Sequence, residues 1–181
     1  MPPRVAQAAW LADEAATESL GAGLARALPA RPVAALVLAL EGDLGAGKTT
    51  LARALLRALG VQGTVRSPSY ALVEPYDLPA WRVLHLDLYR LADPQELEAL
   101  GVRDELLPGT LLLVEWPGRG AGHLPTADLQ LGLSEPVDAS AVSGEGPAGT
   151  RRVTLQAGTP AGHAWLQRLR VEGGPLWQVS P

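Results

Sequence analysis

Gly42-Asp43-Leu44-Gly45-Ala46-Gly47-Lys48-Thr49-Thr50 decides how the rest of the chain is read. The stretch fills the pattern Gly, four residues, then Gly-Lys-Ser/Thr. The apolar run Val37-Leu38-Ala39-Leu40 precedes it, and Leu51, Ala54, Leu55, Ala58 and Leu59 follow at helical spacing. Strand, loop and helix in that order are the context in which this pattern binds phosphate. Gly42, Gly45 and Gly47 admit backbone angles closed to other residues, so successive N–H groups can turn inward on a phosphate at the positive end of the helix. Lys48 is placed to reach the β and γ phosphates, and Thr49 to offer its hydroxyl to Mg²⁺. A glycine-rich turn carrying a stray lysine would share the letters, but composition speaks against it. Of 15 basic residues Lys48 is the single lysine, in a chain that uses arginine everywhere else. A compact ammonium fits between phosphates where a flat guanidinium does not.

Working outward, 181 residues suffice for one domain with a sizeable core, and the whole of 1–181 is read as one. Although 47% of residues are hydrophobic, no apolar run approaches a membrane span and the N-terminus lacks a signal-peptide core. The expectation is a cytoplasmic protein with no membrane partner. With no cysteine and 3 scattered histidines, neither a disulfide framework nor a zinc centre is expected, and any metal should be a hard cation on oxygen ligands. A net charge of −4 argues against a broad basic face. No DNA partner is expected, and RNA contact should be indirect or weak.

In chain order, Ala8-Ala9-Trp10-Leu11 reads as a short strand, and Thr17 as the N-cap of a helix through Leu20, Leu24 and Leu28. Gly60 stands where the helix after the loop should end. Thr64 to Tyr70 then places Ser67 and Ser69 on a proline-stiffened turn, either a nucleotide-sensing switch or an ordinary Ser-Pro turn. From Trp81 to Arg90, Leu84, Leu86 and Leu88 alternate with His85, Asp87 and Tyr89. An Asp and a His together on one face of a sheet strand suggest that this face opens onto a site; a solvent-facing edge strand is the plainer reading. Asp93-Pro94-Gln95-Glu96 carries the cap, first-turn proline and returning glutamate of a helix start, and Gly101 closes that helix. Leu111-Leu112-Leu113-Val114 is a buried strand that ends on Glu115-Trp116-Pro117, with the acid beside the crevice where α/β sheets bind ligands. Residues 128–133 and 152–156 alternate like antiparallel strands. Between them 135–150 is a Ser/Gly/Pro/Ala-rich insert, and Thr159-Pro160 starts a last helix before a loose tail, 158–181 in all.

Among phosphate-loop proteins a GTPase is disfavoured, because the Asn-Lys-x-Asp guanine reader needs a lysine and the only one is used. A small-molecule kinase, with Asp87 as base and Arg90 or Arg103 as phosphate clamps, is one rival. A nucleotide-gated binding module, with ATP shaping Ser67 to Tyr70 and turnover incidental, is another.

Taken together the motifs resemble the TsaE family, bacterial ATPases of tRNA threonylcarbamoyladenosine biosynthesis. The resemblance runs through Thr17-x-x-Leu20-Gly21, the Gly42 to Thr50 loop, Val65-x-Ser67-Pro68-Ser69-Tyr70, His85-x-Asp87-Leu88-Tyr89-Arg90-Leu91, Glu96-Leu97 to Leu100-Gly101 and Glu115-Trp116-Pro117. It covers about 10–157; Ser69 stands where the family usually has Thr. It implies an α/β fold: a single P-loop NTPase domain with a central, largely parallel sheet, antiparallel strands at one side and flanking helices. It further implies ATP and Mg²⁺ as cofactors, an ATPase that is weak alone, and the TsaB–TsaD complex as the partner that it resets. Nucleotide contacts fall on Glu14, Thr17, Leu44, Gly45, Ala46, Gly47, Lys48, Thr49 and Thr50. The metal falls to Thr49, Glu115 and Asp87, catalysis to Asp87, Lys48 and Glu115, and switch or partner contacts to Ser67, Ser69, Tyr70, His85, Tyr89 and Arg90.

Overall fold

The structure is a computed structural model that describes residues 6–68, 70–135 and 149–172. Expectations for Ser69, for most of the 135–150 insert and for the tail beyond 172 lie outside the described residues. In chain order the elements are β1 (Ala6–Leu11), α1 (Glu14–Arg26), β2 (Leu36–Glu41), α2 (Lys48–Ala58), β3 (Val73–Asp77), β4 (Arg82–Asp87), α3 (Glu96–Ala99), β5 (Thr110–Glu115), a 3₁₀ turn (Pro117–Gly120), β6 (Leu129–Leu133), β7 (Arg151–Ala157) and α4 (Pro160–Glu172). The strands form one sheet in the order β1-β7-β6-β2-β5-β4-β3. Its centre, β6, β2, β5 and β4, is parallel, and β7 and β1 continue it antiparallel; of the two segments expected to be antiparallel, β6 pairs antiparallel with β7 but parallel with β2. The sequence places antiparallel strands at one side; β3 adds one at the other edge, joined to β4 by a tight hairpin. Pro75 lies within β3, and a proline removes a ladder donor, so only an edge position tolerates this strand.

One face of the sheet is covered by α1, α2 and α4. Leu20 and Leu24, Leu51 and Leu55, and Trp165 and Leu169 share one buried cluster with Leu38, Leu40, Leu113, Leu131 and Leu155. Each fully buried leucine there contributes roughly 1.5–3 kcal/mol. The Trp165 indole N–H donates to Leu24 O at 3.0 Å and Arg168 Nε to Ala27 O at 2.7 Å, tying α4 to the end of α1. The other face carries a smaller cluster, Leu84, Leu86, Leu88, Leu112 and Val114 with Leu91, Leu97 and Val102. Both faces of β4 and β5 are therefore buried, and the run of apolar residues in β5 follows from that.

The cap and end expected for the first helix need correction, and one alternative for β4 falls away. Thr17 is not the cap of α1: Asp13, with extended backbone, accepts from Ala16 N at 2.7 Å, and Thr17 lies wholly buried in the first turn. Asp caps at least as well as Thr, and placing it first adds Glu14 to the positive end of the helix. The helix ends at Arg26, with Ala27 its C-cap, short of Leu28. Nor is the His85/Asp87 strand a solvent-facing edge, since β4 lies between β5 and β3 with both residues buried. At the Asp93 start the local contacts are present, Glu96 Oε1 accepting from Asp93 N at 3.0 Å and Asp93 Oδ1 from Gln95 N at 2.9 Å, but the α-helix itself is only Glu96–Ala99 with Gln95 as its N-cap, and Gly101 follows at φ +64°.

Candidate functional site: a phosphate loop faced by two carboxylates

The loop between β2 and α2 is shaped by what surrounds it. Gly42 has φ +140°, and a side chain there would collide with Leu133 O of β6, so the chain can leave the sheet at this point only as glycine. Gly47 takes φ +105° immediately before Lys48, the first residue of α2. Leu44, Gly45, Gly47, Lys48, Thr49 and Thr50 then line a pocket of about 270 Å³, with Ser67, Asp87, Tyr89, Glu115 and Trp116 opposite them. A larger hollow of about 550 Å³ lies elsewhere, lined by Val37, Ala39, Val114, Leu124 and Gln156 among others, but it contains no loop of inward N–H groups and no paired acids. The motif residues line the smaller one.

Asp87 and Glu115 are register partners at the carboxyl ends of adjacent parallel strands, and Leu40 of β2 pairs with Glu115 from the other side. Sheet pleating thus puts both acids on the α2 side, facing Lys48 and Thr49. Glu115 Oε2 accepts from the Thr49 hydroxyl at 2.8 Å, while Oε1 lies 2.9 Å from His85 Nε2, a ring 0% exposed. Asp87 accepts from the Ser67 hydroxyl through Oδ2 and from Tyr89 N through Oδ1 at 3.1 Å. The Lys48 ammonium donates to Gly42 O at 2.6 Å and Asp43 O at 2.7 Å, and sits 3.8 Å from the centre of the Trp116 ring. Burial lowers its pKa from the ordinary lysine value, opposed by the charges of Glu115, Asp87 and Asp43. Trp116 holds its place at φ +60°, a backbone region that non-glycine residues seldom occupy, and its ring lies 5.0 Å from that of Tyr89.

Most of the residues proposed from sequence converge here, and several stand apart. Ala46 is buried within the loop and does not line the pocket. Thr17 lies behind Gly47, its hydroxyl donating to Asp13 O at 3.2 Å. Glu14 accepts from the Thr50 hydroxyl at 3.5 Å at the exposed start of α2. His85 backs Glu115 and does not reach the pocket wall. Tyr70, 86% exposed, stacks with the Arg90 guanidinium at 4.5 Å on the outer rim. Sequence reasoning treated Trp116 only as a cover for Glu115; its place directly after the strand-end acid was the available signal. It missed Arg151 altogether, whose Nη1 donates to Ala46 O at 2.8 Å across 105 positions.

The donor set suits Mg²⁺. A hydroxyl and two carboxylates are hard oxygen ligands, and this cation takes one or two of these together with waters and phosphate oxygens. The Thr49–Glu115 contact already brings two such oxygens together.

A family model, threonylcarbamoyl adenosine biosynthesis protein TsaE, matches residues 11–141. The curated protein "tRNA threonylcarbamoyladenosine biosynthesis protein TsaE" of Haemophilus influenzae is 50% identical over 99 residues, 55% of this chain and 63% of that protein. The Bacillus subtilis protein of the same name is 41% identical over 96 residues, 52% of this chain and 59% of its own length. The chain thus spans about three fifths of these relatives. The crystal structure of Bacillus subtilis YdiB superposes with a TM-score of 0.71 at 24% identity, covering 94% of this chain and 98% of that one, a likeness of fold.

Proposed function

The chain belongs to the TsaE family, and on that premise we propose that it is the ATP-hydrolysing component of tRNA threonylcarbamoyladenosine biosynthesis, acting with TsaB and TsaD. The observation that carries the reading is Glu115 accepting from the Thr49 hydroxyl at 2.8 Å beside the single lysine of the chain. In this reading the loop N–H groups and Lys48 take the β and γ phosphates, in place of the Gly42 and Asp43 carbonyls that hold the ammonium in this structure. Thr49 and Glu115, with Asp87 nearby, would hold Mg²⁺, which neutralises charge on the phosphate oxygens when bound. His85 fixes the orientation of the Glu115 carboxylate by occupying its second oxygen. Asp87, which accepts from the Ser67 hydroxyl, orients the attacking water from the Ser67 side.

Ser67 ties the same carboxylate to the segment that leads to exposed Tyr70, so loss of the γ phosphate is felt at the rim. The rim formed by Tyr70, Tyr89 and Arg90 is the surface we assign to TsaB–TsaD. The acidic balance of the chain fits a subunit that leaves most tRNA binding to its partners; its own tRNA affinity should be weak and lost by about 200 mM salt. Calorimetric titration with Mg–ATP, followed by phosphate release with and without TsaB–TsaD, tests the proposal. Phosphate delivered to an added metabolite instead of water would favour a kinase.

A further inference from the structure

Arg151 is the first residue of β7, paired with Leu11 of β1, and it lies far in sequence from every motif considered above. It nonetheless touches the phosphate loop. Its Nη1–H donates to the Ala46 carbonyl at 2.8 Å, and its guanidinium packs so closely on Gly47 that any side chain at position 47 would collide with Nη1. The Thr17 methyl closes the same spot from α1, 3.6 Å from where a Gly47 Cβ would stand. Among the described residues Arg151 has no acidic partner, and its buried Nε has no hydrogen-bond partner. A charged group this poorly compensated has an environmental cost, and here the single bond it does make is to the loop.

The geometry has a directional consequence. In a loop that binds anions through its N–H groups, each inward N–H leaves a carbonyl facing out, and an outward carbonyl with no donor leaves its peptide free to rotate. Ala46 O is such a carbonyl, and the peptide it belongs to carries the Gly47 N–H. We propose that Arg151 is a positioning residue for the phosphate loop: held by β7, it grips the Ala46–Gly47 peptide from outside, so that the Gly47 N–H stays turned toward the triphosphate. The inference rests on the phosphate-loop reading above. It assigns Arg151 no contact with base or ribose, and Gly47 is required for its positive φ, while the guanidinium end packed on it belongs to a flexible side chain.

The test compares the full chain and its Arg151→Ala variant in calorimetric titrations with Mg–ATP and, separately, with inorganic tripolyphosphate, which has neither base nor ribose. The expected result is a loss of affinity of about tenfold, equal for both ligands, since a charge-assisted hydrogen bond that orders the loop is removed. Added guanidinium ion should restore part of it, which a general loss of packing would not allow. If Arg151→Ala fails to fold, Arg151→Met, which keeps the apolar stem and drops the donor, carries the same expectation. Unchanged affinity for both ligands would overturn the proposal, as would a loss confined to Mg–ATP, which would put the guanidinium on the base. If the unaltered chain binds neither ligand, the phosphate-loop reading itself has failed; if it binds both and Arg151→Ala matches it, only the role of Arg151 falls.

Discussion

Glu115 and Asp87 stand opposite one another on neighbouring strands, both buried, yet they look into different parts of the molecule. Glu115 is held on two sides by parts of the rigid frame: Thr49 at the start of α2 and His85 in the middle of β4. Asp87 is held by Ser67 and by the backbone of Tyr89, both of which continue into exposed chain at Tyr70 and Arg90. Two identical functional groups, adjacent in register, are thereby given different freedom by their second partners. One is bonded to the phosphate-loop motif at Thr49; the other is bonded to the segment that runs out to the exposed rim. That contrast is the physical basis for assigning the metal to the Glu115 side and the attacking water to the Asp87 side.

The largest effect should come from a change that removes what both acids face. Lys48→Ala should lower ATP affinity by about a hundredfold or more while leaving the fold intact, because backbone N–H groups alone then oppose a polyphosphate. Calorimetry giving wild-type affinity would remove the ground for comparing the acids at all. Next, Asp87→Ala should slow turnover by about a hundredfold at saturating Mg–ATP with little change in affinity, as expected for a group that positions the nucleophile. Glu115→Ala should act differently, raising the Mg²⁺ concentration needed for half-maximal activity by about tenfold. Equal losses that no excess of metal repairs would erase the distinction between the two. The smallest signal is conformational: amide exchange across residues 64–73 should differ between ATP and ADP states, whereas residues 111–115 should not change. Identical exchange in the first segment would mean that Ser67 couples Asp87 to nothing.

How far these roles can be read from the chain depends on the range of the contacts that make them. The loop, the apolar strands on either side of it and the alternation around His85 and Asp87 are local patterns, and each is where the sequence puts it. Glu115 is legible for the same reason, as an acid ending a short apolar strand. Asp13 was passed over for Thr17 because capping is decided by a backbone angle, and both residue types suit it. The antiparallel β3 is hidden by Pro75, which breaks a strand pattern everywhere except at an edge. Trp116 over Lys48 and Arg151 against Ala46 depend on packing between residues 68 and 105 positions apart, which no spacing rule encodes.

Hydrolysis of ATP at this site is proposed to serve a partner rather than the chain itself. Phosphate release from Mg–ATP, measured for the chain alone, with TsaB–TsaD, and again with Arg90→Ala in place of the natural residue, addresses it most directly. Release should be slow for the chain alone and rise clearly on adding the pair, and the variant should bind ATP normally without that rise. Fast release that is indifferent to TsaB–TsaD would contradict the proposal.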